Sequence, residues 1–234
     1  MNTLVHYELT DGIAFLGLDD GKANVLGPAM LDALNAALDR AEGDRAVVVL
    51  TGRERMFSGG FDLRLFKGEP AALARMLETG ARLAARLLAF PRPVIASCTG
   101  HAVAMGALLL LCADLRIGAD ADTRIQVNEV QTGLTLPHFA IALCQRRLAT
   151  PHLPQIVLAA SPCLPRQALA AGFLDELVAP AELADAARGR ALSMARFDAV
   201  AYAGTKQRLH HDTLAALQAA ITRDVADWRT LFRA

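Results

Sequence analysis

The chain has 234 residues, 53% of them hydrophobic, and its 24 Lys and Arg are balanced by 24 Asp and Glu. That length accommodates one α/β domain with a buried sheet and a helical C-terminal extension, and leaves little room for two full domains. With no net charge there is no field to draw a polyanion, so neither nucleic acid nor an anionic membrane is expected as a partner. Cys98, Cys112, Cys144 and Cys163 lie in apolar surroundings without C-x-x-C spacing, and read as buried free thiols of a reducing compartment. The opening MNTLVHYEL lacks the basic and apolar regions of a signal peptide, and the apolar run at 102–113 is too short to span a bilayer, which predicts a cytoplasmic protein.

Residues 4–9 and 13–18 alternate around Thr10-Asp11-Gly12 and read as a β-hairpin. Pro28 suits a first helical turn, after which Met30, Leu31, Leu34, Ala37, Leu38 and Ala41 recur at helical spacing, followed by a buried strand at 46–51 (AVVVLT). The order then repeats as an amphipathic helix at 71–90, a strand at 93–97, a buried helix at 105–113 and a strand at 115–118, which predicts crossovers and a mainly parallel sheet. Beyond 124–127 the pattern turns helical, at 140–148, 152–159, 166–171, 181–197 and 198–232, with Pro151, Pro154, Pro162, Pro165 and Pro180 at starts or connections. The expected organisation is a core at 1–180 followed by a helical region at 181–234. In that region Leu214, Leu217, Ile221, Val225, Trp228 and Leu231 form an apolar stripe, read either as a subunit interface or as a face packed on its own domain.

Two glycine-bearing turns carry the chemistry. In residues 56–63 (MFSGGFDL), Gly59 and Gly60 permit a backbone that turns the Phe61 amide inward, with Asp62 as the cap of a following helix. In residues 99–114 (TGHAVAMGALLLLCAD), Gly100 is expected to end a strand and Gly106 to open a helix whose unpaired amides include that of Met105. A carboxylate, Glu129, follows in the next loop. Two N–H donors beside one carboxylate suit an enolate intermediate, because the donors stabilise charge on oxygen while the carboxylate moves a proton. Taken singly, each feature has a plainer reading: a glycine turn, a packed helix, a solvated loop acid. His101 and His138 are candidates to assist Glu129, or simply loop histidines. Asp114 reads as a cap or turn former, and His210-His211 as a solvated helix face; no metal site is expected.

Read together, FSGGFDL at 57–63, the stretch from Gly100 through Cys112-Ala113-Asp114, and Asn128-Glu129-Val130 with Gly133 and Pro137 resemble the turns and glutamate loop of the crotonase superfamily, the enoyl-CoA hydratase/isomerase family. Lys22-Ala23-Asn24-Val25-Leu26 is similar to that family's coenzyme A loop, and the resemblance covers nearly the whole chain. It implies the ClpP/crotonase fold of repeated ββα units and an acyl-CoA thioester whose carbonyl oxygen lies between the amides of Phe61 and Met105. By the same resemblance, Lys22, Ala23, Val25, Gly60, Asp62, Leu63, Gly106 and Leu108 surround the CoA or the substrate. Coenzyme A is then part of the substrate and no separate cofactor is implied. A homotrimer or a dimer of trimers is implied as well, with the C-terminal helices at the interface. Met105 stands where most members carry glycine, which puts a conformational demand on that residue. Hydratases of the family carry a second glutamate at the position of Leu108, so the single Glu129 resembles the isomerases that move a 3,4 double bond to the 2,3 position. Hydration, another acyl-CoA reaction, or acyl-CoA binding without catalysis remain the alternatives.

Overall fold

The structure, a computed structural model, describes residues 3–231. The predicted end of the last helix at Phe232 lies outside the described residues. The elements in chain order are β1 (Val5–Thr10), β2 (Ile13–Leu18), β3 (Val25–Leu26), α1 (Pro28–Gly43), β4 (Val47–Thr51), β5 (Arg55–Ser58), β6 (Gly60–Phe61), α2 (Pro70–Ala89), β7 (Val94–Cys98), β8 (Gly100–Val103) and α3 (Met105–Leu111). They continue with β9 (Leu115–Ala119), β10 (Ile125–Gln126), α4 (His138–Arg147), α5 (Pro165–Ala171), β11 (Glu176–Val178), α6 (Leu183–Ala195) and α7 (Ala199–Leu231).

The main sheet runs β1-β2-β4-β7-β9-β11, antiparallel only in the opening hairpin and parallel thereafter. Its central strands are apolar on both faces because helices cover both faces. Val47 and Val49 point with Ile13, Ile95 and Ile117 toward Leu183, Ala187 and Ala191 of α6. Val48, Leu50 and Ala96 face the larger core built from α1, α2, α3 and α4. The expected α/β architecture with a mainly parallel sheet and C-terminal helices is therefore present.

Two short sheets, β10-β8-β5 and β3-β6, stand beside the main one and were not legible as strands in the sequence. They correct one expectation: Gly100 does not end a strand but opens β8, pairing with Arg55 so closely that a Cβ there would overlap the Arg55 backbone. The segment predicted as one helix at 152–159 is broken into a 3-10 turn at Thr150–His152 and a single wide turn at Pro154–Leu158. Pro151 and Pro154 withhold the amides a continuous helix would need.

Much of the apolar stripe on the C-terminal helix packs on its own chain, although Leu231 is exposed. Leu217, Ile221 and Trp228 are buried in the core of their own chain, and α7 packs along α2 and α4. Polar pairs fix it as well. The Lys206 ammonium, itself buried, donates to the Asp114 carboxylate at 2.7 Å, and Asp114 also accepts the Val94 amide at 2.8 Å. Asp114 is thus an anchor for α7, not a cap. His210 is likewise not on a solvated face: it is buried beside the Arg146 guanidinium at 3.2 Å, while His211 is exposed.

Removing one partner of a buried pair leaves the other charge uncompensated, which typically costs about 3–5 kcal/mol. Lys206→Met is therefore expected to destabilise the fold by about 3 kcal/mol, read as a lower midpoint in urea unfolding with an unchanged slope.

Candidate active site

The two glycine turns meet back to back. Gly60 has φ +87°, and a Cβ on it would lie 2.7 Å from the Val103 carbonyl oxygen and 3.2 Å from the Met105 nitrogen. Only glycine adopts that conformation without strain and also leaves room for the neighbouring backbone. Gly106 performs the same service from the other side, its Cα seated against the Ser58 carbonyl. The first turn is tied to the early loop by hydrogen bonds from the Gly59 amide to the Ala23 carbonyl at 2.7 Å and from the Ser58 hydroxyl to the Asn24 carbonyl at 2.8 Å. Asn24, buried with φ +50°, donates its side-chain amide to the carbonyls of Leu18, Met56 and Phe57. Phe61 is held in turn by its ring, which rests on Gly80 of α2 where a methyl group would overlap it.

The conformational demand expected at Met105 falls one residue earlier. Ala104 takes φ 49°, ψ −124°, while Met105 begins α3 and is buried. An alanine there stores about 1–3 kcal/mol of strain. The Ala104 amide donates to the Gln126 carbonyl at 2.8 Å, which fastens the second turn to β10, three residues before Glu129. The first amides of α3, that of Met105 among them, have no acceptor within their own helix.

Two cavities meet beside the first turn, and Met105 lines neither. A groove of about 870 Å³ is lined by Lys22, Ala23, Val25, Gly59, Phe61, Asp62, Leu63 and Arg64 among others. A second cavity, about 400 Å³, is walled mostly by apolar side chains, Phe66, Leu77, Leu108, Phe139 and Trp228, with Asn128 and Glu129. Gly59, Phe61 and Leu63 line both, so the chambers join at the first turn. Gly60 and Gly106 line neither, and act by letting the turns approach.

Glu129 opens a 3-10 turn at Glu129–Thr132, and Gly133 ends that turn in the left-handed conformation with φ 78°. Its Oε2 is buried and has no hydrogen-bond partner among the described residues. Burial pushes the Glu129 carboxyl above the usual carboxylate range, against a smaller opposite pull from its own amide and that of Asn128. Asp62 behaves oppositely: the Arg64 guanidinium, 2.7 Å away, holds it below its ordinary value, and its side chain caps the turn at Leu63–Lys67. The histidine candidates are not brought to the site. His101 accepts the Arg124 amide at 3.1 Å, its pKa lowered by burial and by nearby Arg124 and Arg55, and His138 is exposed at the start of α4. Neither lines the apolar cavity. Among the described residues, one cluster of metal-ligand types occurs, His138, Asp224 and Asp227, and none of the three lines that cavity either. Phe66 and Trp228 were missed as site residues: Trp228 read only as part of the apolar stripe, and no spacing singled out Phe66.

This architecture, with two glycine turns in contact and a half-buried acid beyond them, is the crotonase fold. The chain belongs to the enoyl-CoA hydratase/isomerase family, whose profile matches residues 8–233. It is similar to the structure of an enoyl-CoA hydratase/isomerase family protein from Pseudomonas syringae, at 42% identity and TM-score 0.93 over 95% of this chain and 97% of that one. It is also similar to the apo structure of an enoyl-CoA isomerase from Mycobacterium tuberculosis, at 43% identity and TM-score 0.92 over 97% of this chain and 99% of that one. A Rhodobacter capsulatus protein named "Probable enoyl-CoA hydratase" is 32% identical over 212 residues, covering 88% of this chain and 80% of the relative. No helix among the described residues is long and apolar enough to cross a membrane.

Because the Glu129 pKa is raised on folding, the folded chain holds that proton more tightly than the unfolded chain does. The ionised carboxylate therefore opposes folding above the folded pKa, and this cost fades as pH falls through it. Glu129→Gln is expected to stabilise the chain by on the order of 1 kcal/mol at about pH 8 and to lose that gain at about pH 4, measured as the difference in Tm from the parent.

Proposed function

We propose that the chain isomerises a 3-enoyl-CoA thioester to its 2-enoyl isomer. The CoA portion lies along the groove that runs past Lys22, Ala23, Val25, Asp62 and Leu63, and the acyl chain enters the apolar cavity beyond Phe61. The thioester oxygen accepts hydrogen bonds from the amides of Phe61 and Met105. Glu129 removes a proton from C2, the electron pair delocalises onto the thioester oxygen as a dienolate, and the same carboxyl returns the proton at C4, leaving the double bond between C2 and C3. No redox partner, water or separate cofactor enters the balance.

One observation carries this reading: Glu129 is the one carboxylate among the side chains lining the apolar cavity, and the same lining presents Leu108. Hydration needs one group to deprotonate water and another to protonate carbon, and a leucine does neither. A one-base proton shift needs only Glu129, whose burial strengthens it as a base. The second reading, enoyl-CoA hydratase, is favoured by the name of the Rhodobacter capsulatus relative. Family resemblance further supports a homotrimer or dimer of trimers, to be read as three or six chain masses in sedimentation, and a role in fatty acid metabolism.

Mass-spectrometric assay of matched 2-enoyl and 3-enoyl thioesters, with and without solvent ¹⁸O, separates the readings. The expected result is a double-bond shift without ¹⁸O uptake, reduced by about 10²–10⁴ in Glu129→Gln while CoA-ester binding persists. Rapid ¹⁸O incorporation into the crotonyl thioester would assign hydration instead, and tight binding with no turnover of either series would make the chain an acyl-CoA binder.

A further inference from the structure

We infer that Asp224, far from Glu129 in sequence and absent from the lining of the apolar cavity, is a positioning residue for the glutamate loop. The inference rests on the reading of Glu129 as the proton-shuttling base.

Among the described residues, the loop that carries Glu129 is tied at its entry and at its exit, and between them only through the Gln131 side chain, which accepts from the Gln126 side-chain amide at 3.0 Å and donates to the Ala160 carbonyl at 3.4 Å. Upstream, the Gln126 carbonyl accepts the Ala104 amide at 2.8 Å, which registers the loop against the turn that presents Met105. Within the loop, turn bonds run from the Leu134 amide to the Glu129 carbonyl at 2.9 Å and from the Gly133 amide to the Val130 carbonyl at 3.3 Å. They give the loop shape but fix it to nothing else. Downstream it passes Pro137 into α4, whose first amides have no acceptor in their own helix. Both of these are taken by one carboxylate from α7: Asp224 Oδ1 accepts the His138 amide and Oδ2 the Phe139 amide, each at 2.8 Å.

Asp224 is 2% exposed, so it is a carboxylate withdrawn from water whose hydrogen bonds to the protein are those two amides. The charged or titratable groups that face it are His138 of α4 and Asp227 of its own helix. A neutral cap would satisfy a helix start at lower desolvation cost, and charge-assisted bonds to two successive amides define the loop's exit more rigidly. One turn further along α7, Trp228 packs edge-on against Phe139 at 6.4 Å between ring centroids, and both rings line the apolar cavity. The amide that Asp224 holds therefore belongs to a cavity residue. Releasing it would free the loop's exit while the Ala104 tie still held its entry, moving Glu129 relative to the amides of Phe61 and Met105. A displacement on the order of 1 Å at a reacting group costs about 10²-fold in rate.

The test compares Asp224→Ala, the milder Asp224→Asn, and Asp227→Asn as a control at an exposed neighbour, all as full-length protein. The readouts are kcat, KM and the pH profile of kcat on a 3-enoyl-CoA thioester that the parent turns over, with amide hydrogen exchange at residues 138 and 139. The expected result for Asp224→Ala is a kcat at least about 10-fold lower with KM within about 3-fold, and an acid limb of the profile shifted toward the ordinary carboxylate range as Glu129 gains solvent. Asp224→Asn, which keeps one acceptor, should fall between, and Asp227→Asn should match the parent. Faster exchange at 138 and 139 with kcat and acid limb unchanged would overturn the inference, and so would a lowered Tm alone. If Asp224→Ala fails to fold, unchanged kcat and acid limb in Asp224→Asn would overturn it in its place. Parent turnover that survives Glu129→Gln would instead remove the underlying reading, an outcome distinguishable from either.

Discussion

Everything at this site depends on two stretches of backbone touching where side chains would ordinarily keep them apart. Gly60 sits against Val103 and Met105, and Gly106 against Ser58, so that two amides from segments more than forty residues apart in sequence come to one place. Neither approach tolerates a Cβ. The small sheets exist to hold this contact: β6 is clipped to β3, β5 and β10 flank β8, and the main sheet behind them supplies a rigid, doubly covered support. A loss of either glycine would push the two turns apart.

The acid is placed by the opposite logic. Glu129 is half-buried with one oxygen buried and unpartnered, an arrangement that weakens the fold and raises the carboxylate's affinity for a proton. Strain at Ala104 adds to the same side of the balance. The surroundings over-determine both features. Buried polar ties fasten α7 at two separated points, Lys206 to Asp114 behind α3 and Asp224 to the first amides of α4, and the apolar face of α7 fills the gap between α2 and α4. Of the apolar stripe, Leu217 and Ile221 are buried in the core and Trp228 and Leu231 line the apolar cavity.

The sequence made the main-sheet strands up to β9 and the long helices legible because their signal is local, as in Val47-Val48-Val49-Leu50 or the apolar spacing from Met30 to Ala41; β11, three residues inside a stretch read as helical, was not. The same holds for Phe61 and Glu129, whose motifs are contiguous. Strands of two to four residues such as β3, β6 and β10 carry no periodicity, and only their pairing creates them. The strain at Ala104 was misplaced onto Met105 because the family's glycine pattern marks the donor residue, whereas the turn geometry falls on the one before it. Asp114 and His210 looked like cap or surface residues, and Asp224 drew no reading at all, because nothing local announces that tertiary packing will bury them. Trp228 was visible as part of a stripe, but its place in the cavity is a fact of tertiary packing.

The central claim is that the Phe61 and Met105 amides share one oxygen while Glu129 stands over the carbon beside it. A crystal structure of the chain with a non-isomerisable acyl-CoA thioester bound tests that most directly. The account predicts the thioester oxygen at about 2.7–3.1 Å from both nitrogens, the adenine end in the groove past Lys22, the acyl chain against Leu108 and Trp228, and a Glu129 oxygen nearest C2. A thioester whose oxygen meets neither amide, or whose acyl chain lies outside the apolar cavity, would contradict it.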